Sequence, residues 1–131
     1  MRITRQQLID LDPCDLSERL ELFGRRRYLT ARRALDAGAT IDDVLWVAEQ
    51  LGMVREMVAF ADNCRMWSIP YASGQESTKQ LDVTAHSLAH FHRKGSPYNA
   101  SIYARRAYSF ATSCGLSEHL AQEWLIELLG D

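Results

Sequence analysis

The segment Thr40-Ile41-Asp42-Asp43-Val44-Leu45-Trp46-Val47-Ala48-Glu49-Gln50-Leu51-Gly52 holds every signal of one amphipathic helix. Thr40 is an N-cap residue whose hydroxyl can accept from one of the free amides of the first turn. Asp42 and Asp43 follow where carboxylates complement the positive end of the helix dipole. Ile41, Val44, Leu45, Ala48 and Leu51 recur on one face, and Gly52 closes the run.

The same punctuation continues in both directions. Thr30 caps a helix that runs to Ala37 and stops at Gly38. Thr4 with Gln7 makes a capping box, and Ile3 is placed to staple onto Leu8. Asp12-Pro13 reads as an N-cap and a first-turn proline, followed by the stripe Leu16, Leu20, Phe23 and the stop Gly24. On the other side, Val54, Met57, Val58, Ala61 and Cys64 mark a helix from Met53 to about Trp67, which Pro70 keeps from passing about Ser68. Leu81, Ala85, Leu88 and Phe91 mark another over 77–94, with Gly95 behind it. Ser96-Pro97 opens a helix carrying Ala100, Tyr103, Ala104, Ala107, Phe110 and Ala111, which Gly115 ends. Ser117 caps the last, with Leu120, Ala121, Trp124, Leu125 and Leu128 on one face and Gly130 at its end.

No stretch alternates apolar and polar residues with β-branched enrichment. The expectation is therefore an all-α protein, a compact bundle of about eight short helices with no β-sheet. Residues 69–76, with Pro70, Ser73 and Gly74, form a linker. It divides a single domain, 1–131, into halves 1–68 and 77–131, because neither half is large enough to bury a core of its own. Ala31-Arg32-Arg33-Ala34 recurs as Ala104-Arg105-Arg106-Ala107, each copy followed by a glycine turn, a capped helix and a closing Leu-Gly. The recurrence could mark a duplicated helical hairpin, but four identical residues are weak evidence and coincidence is the better reading.

Composition narrows the function classes. With 47% hydrophobic and 24% charged residues the chain is globular rather than disordered. A net charge of -2 is too small for a nucleic-acid-binding field or for a mimic of DNA. Cys14, Cys64 and Cys114 are odd in number and far apart, which suits reduced thiols in a cytoplasmic protein better than disulfides or a zinc knuckle. Residues 1–11 lack the apolar core of a signal peptide, and no apolar run is long enough to cross a membrane.

The densest chemical feature is Arg25, Arg26, Arg27, Arg32 and Arg33, five guanidiniums within nine positions. They suit a contact patch for phosphate or for an acidic protein surface, since arginine forks bind both in bidentate fashion. The commoner reading of such a charge run is a solvated face, here paired with Glu18, Glu21, Asp36, Asp42 and Asp43. The pair of helices over 30–51 has the outline of a helix-turn-helix, but its second helix opens on Asp42 and Asp43, which repel phosphate. Trp67 and Tyr71 flank the proline break and suit either half-buried packing or an aromatic anchor for a partner.

Asp82, His86 and His90 share one helix face and could begin a metal site. No further ligand is placed by spacing, and Ser87 stands where a zincin needs glutamate, so no metal and no cofactor are expected. No glycine elbow presents a nucleophile, and no glycine-rich loop cradles phosphate. The chain reads as non-enzymatic.

Ile3-Thr4-Arg5-Gln6-Gln7-Leu8-Ile9, then Cys14 and Leu20-Glu21-Leu22-Phe23, resembles the opening of small phage- and prophage-encoded proteins. Leu29-Thr30-Ala31-Arg32-Arg33-Ala34-Leu35 and Asp43-Val44-Leu45-Trp46-Val47-Ala48 are similar to the same group, some of whose alanine-rich members are labelled immunity proteins. The likeness covers roughly the first half, and the second half lacks the alanine-rich array. It implies a mobile-element origin and carries no catalytic residue across. By analogy of size and character with anti-CRISPR proteins, the expected role is binding and inhibiting a host protein or ribonucleoprotein complex. The alternatives are an immunity protein that neutralises a toxin and a DNA-binding regulator.

Overall fold

The computed structural model describes residues 1–71 and 96–130, with the backbone alone for Tyr71. Among these residues are seven α-helices, one 3-10 turn and a two-stranded antiparallel ribbon. The elements are β1 (Arg2–Thr4), α1 (Arg5–Leu11), α2 (Leu16–Glu21), β2 (Tyr28–Thr30), α3 (Ala31–Asp36), α4 (Ile41–Gln50) and α5 (Val54–Ser68). The 3-10 turn Ile69–Tyr71 carries Pro70, and α6 (Pro97–Ser113) and α7 (Glu118–Leu129) complete the series. The helix expected over 77–94, and with it most of the linker, lies outside the described residues.

The ribbon corrects the expectation of no sheet. Arg2 pairs with Thr30, Ile3 with Leu29 and Thr4 with Tyr28. Its origin is in the caps themselves. An N-cap residue takes extended backbone angles, so the residues leading into a capped helix are already strand-like. Thr4, at φ -91° and ψ 165°, leads into α1, and Thr30, at φ -101° and ψ 171°, leads into α3. Two such lead-ins lie side by side and exchange hydrogen bonds. Each contributes one inward apolar residue, Ile3 or Leu29, both buried. One residue per strand is too few to show a period of two.

Asp12-Pro13 is a helix stop rather than a helix start. Asp12 sits in the left-handed region at φ 53° and its amide donates to the Ile9 carbonyl, closing α1. Proline commonly follows such a cap because it cannot continue the helix. The next helix begins later, at Leu16, after Asp15.

Over residues 30–68 and 96–130 the local signals hold. Gly38 and Gly115 adopt positive φ, and the Ala39 and Leu116 amides reach back to the Ala34 and Ala111 carbonyls at 2.9 and 3.0 Å. These are Schellman closures of α3 and α6. Thr40 and Ser117 then cap α4 and α7 by accepting from the Asp43 and Leu120 amides. The turns after the two Ala-Arg-Arg-Ala segments thus share one hydrogen-bonding plan. The segments themselves differ in place, opening α3 but lying mid-way along α6.

Buried Met57, Phe60, Ala61, Cys64 and Ser68 of α5 pack against α6, the most extensive helix pairing described. On α6, Ala100, Ala104, Ala107 and Ala111 form a stripe of small side chains that lets the two backbones approach closely. Tyr103, fully buried, donates from its hydroxyl to Asp62 at 2.8 Å. Two expected faces are rotated by about one residue. Val47 rather than Leu51 is buried on α4, and Ile126 and Leu129 rather than Leu120 on α7.

The caps give a test of local stability. At the start of α4, Thr40 accepts from the Asp43 amide at 3.1 Å, and the Asp43 carboxylate accepts from the Thr40 amide at 2.9 Å. Ser96 makes no side-chain cap bond at the start of α6. Thr40→Ala should therefore cost about 1 kcal/mol in urea unfolding, and Ser96→Ala clearly less. Equal costs would mean that the reciprocal bonds at Thr40 contribute nothing.

Candidate functional site

The arginine-rich connection between α2 and β2 stands on a fixed base. Phe23, 1% exposed, is sunk into the core just before it. The Arg26 amide donates to the Phe23 carbonyl at 2.8 Å, and Gly24 turns the chain at φ 55°. Arg5 donates to the Gly24 carbonyl and lies over the Phe23 ring, 5.2 Å from its centroid. Arg25, Arg26 and Arg27 follow, all exposed.

The ribbon then brings in cations that the sequence keeps apart. Arg2, Thr4, Tyr28 and Thr30 share one ribbon face, opposite Ile3 and Leu29. The Arg2 guanidinium lies 4.1 Å from the Tyr28 ring centroid and that of Arg33 lies 4.7 Å from it. Such stacking is attractive through the ring quadrupole and fixes the plane of each guanidinium. Arg33 is held from behind as well, since its amide donates to the Thr30 hydroxyl at 3.2 Å.

Arg2 and Arg33 thus share the Tyr28 ring, Arg5 is bonded to the Gly24 carbonyl, and Arg25, Arg26 and Arg27 are exposed in the connection that leads into Tyr28. Arg32 is drawn aside to Glu123 of α7 at 3.7 Å. That pair is nearly half exposed on both sides, so it contributes little to stability. Of the carboxylates expected beside the cluster, Asp43 turns to another partner. Asp43 binds Arg19 at 3.2 Å, and no described carboxylate forms an ion pair with Arg2, Arg5, Arg25, Arg26, Arg27 or Arg33. Arg2, Arg5 and Tyr28 were beyond sequence reasoning, because only ribbon pairing places them here.

Trp67 is half-buried and packs against the core, while neighbouring Met66 and Ile69 are exposed. The side chain of Tyr71 lies outside the described residues, as do Asp82, His86 and His90. Among the described residues no three His, Cys, Asp or Glu side chains gather as metal ligands, and no helix is long and apolar enough to cross a membrane. A cavity of about 40 Å³ lies beneath the ribbon, between Ile3, Leu8, Phe23 and Val44. It is far below the roughly 300 Å³ of a small-molecule pocket.

Cys14 is exposed, Cys114 half-buried and Cys64 fully buried. Burial pushes the Cys64 thiol up to about 12 from 9.0, so it stays protonated and is no nucleophile. Burial, with the nearby Asp62 carboxylate, also raises Tyr103. Above pH 9 the folded state keeps the Cys64 proton that the unfolded chain loses. Stability should then fall as pH rises, by up to ~1.4 kcal/mol per pH unit for this one group. Urea unfolding of wild type and Cys64→Ala across that range checks it. Parallel pH profiles would show that Cys64 does not carry the slope.

No family model, curated protein or solved structure matches this chain.

Proposed function

We propose that this chain is a non-catalytic, mobile-element-encoded binding protein. It acts in the cytoplasm by docking its basic face onto a host protein or ribonucleoprotein complex and inhibiting it, as an anti-CRISPR or other anti-defence inhibitor does. One observation carries the reading: Arg2, Arg5, Arg25, Arg26, Arg27 and Arg33 lie on the ribbon or on the segments that border it, and no described carboxylate forms an ion pair with them. A solvated face usually carries charges of both signs, and a field of one sign steers a complementary surface. The exposed connection on a fixed base is also the usual setting for binding residues.

The α3–α4 pair supports a DNA groove poorly. α4 buries Ile41, Val44, Leu45, Val47 and Ala48, and Asp42 is exposed at its start. An immunity protein that neutralises a toxin would use the same basic face, and a neighbouring toxin gene would favour that role.

Affinity capture from bacterial host lysate tests the proposal. Wild type should retain a discrete complex that Arg25→Glu/Arg26→Glu/Arg27→Glu loses. Identical captures, or none by wild type, would overturn it.

A further inference from the structure

We propose that the Arg2–Tyr28–Arg33 stack, with Arg25, Arg26 and Arg27 beside it, docks a compact cluster of carboxylates on a partner protein rather than a nucleic-acid strand. This rests on the reading above that the basic face is the binding surface. Tyr28 is a positioning residue in the arrangement. Two guanidiniums lie within 4.7 Å of its ring centroid, so two like charges are held no more than about 9 Å apart, within roughly one Debye length. The ring offsets part of that repulsion and holds both forks in fixed planes. A carboxylate cluster completes the arrangement by accepting the edge hydrogen bonds that stacking leaves open.

Three features separate carboxylates from a phosphate backbone. First, single-stranded nucleic acid is held by free aromatic faces on which bases stack. The Tyr28 ring is already occupied by guanidiniums. Second, the chain is net acidic at -2 although this face carries six arginines, so the rest of its surface is strongly negative. A strand running past the face would meet that repulsion, whereas an acidic patch can end where the face ends. Third, the stacked pair is held on a single tyrosine and the exposed Arg25–Arg27 connection leads directly into that residue, a short footprint suited to a few side chains.

The test uses fluorescence anisotropy with two labelled probes, an oligoglutamate of about ten residues and a single-stranded oligouridylate of similar charge, at about 0.15 M ionic strength. The full chain should bind oligoglutamate at least as tightly as the RNA. Arg2→Gln/Arg33→Gln should weaken the peptide by about tenfold or more. Tyr28→Leu, which changes no charge, should weaken it by about threefold or more, because the forks lose their fixed planes. Arg106→Ala on α6 removes one exposed charge elsewhere and should change little. RNA bound more tightly than peptide would overturn the carboxylate assignment while leaving a basic binding face. Failure of both probes would overturn the assignment and the basic-face reading together. Equal losses in Arg106→Ala and the double variant, or no loss in Tyr28→Leu with the fold intact by circular dichroism, would overturn the stacked clamp.

Discussion

Replacing Tyr103 by alanine is expected to lower the unfolding free energy by about 3–5 kcal/mol, as truncating large buried aromatics does. Tyr103 is among the largest fully buried side chains and sits where α5 and α6 pack most extensively. The small residues around it on α6, Ala100, Ala104 and Ala107, cannot close the resulting gap. Its hydroxyl adds a distinct contribution, since it donates to the Asp62 carboxylate at 2.8 Å. Tyr103→Phe keeps the ring and should cost about 1.5–3 kcal/mol, the range for a hydrogen bond to a charged group. In the double variant Tyr103→Phe/Asp62→Ala the second change should cost less than Asp62→Ala does alone, because the two groups share one bond. Urea unfolding monitored by circular dichroism measures all of these. A cost below about 1 kcal/mol for Tyr103→Ala would mean that the α5–α6 interface does not depend on the aromatic ring.

The largest expected effect on binding is at the α2–β2 connection. Changing Arg25, Arg26 and Arg27 together to alanine should weaken partner binding by about 2 kcal/mol or more, roughly thirtyfold in Kd. The melting temperature should move little, because exposed substitutions usually cost within about 0.5 kcal/mol each. The structure explains why the two readouts separate. All three side chains are exposed and make no ion pair within the described residues. The bond that fixes the turn, Arg26 amide to Phe23 carbonyl, belongs to the backbone and survives the change. Unchanged affinity would reduce the arginines to a solvated face. Lost folding would make them internal partners of an acidic group such as Glu18, Glu21 or Asp36.

The helices α3 to α5 and the pair α6 and α7, with the turns inside each group, were legible because their signals are local. Thr30, Thr40 and Ser117 each accept a hydrogen bond from an amide three residues on, and Gly38 and Gly115 close helices through carbonyls three to five residues back. The consecutive arginines were visible for the same reason. Asp12-Pro13 marks the limit of local reading, since one dipeptide serves as a start or a stop according to the chain direction that precedes it.

What the tertiary structure alone decided lies in the ribbon. Residues 2–4 and 28–30 are extended merely because each leads into an N-cap, and nothing in either segment encodes the other as its partner. Pairing them places Arg2 on Tyr28 opposite the incoming α3, while the approach of α7 diverts Arg32 to Glu123. The sequence by itself determined the capped helix starts at Thr4, Thr30, Thr40 and Ser117, the glycine stops at Gly38 and Gly115, and how many arginines are available. Which of those arginines share a face was decided by antiparallel pairing and helix packing, because such contacts join residues far apart in the chain and leave no periodic trace in either partner.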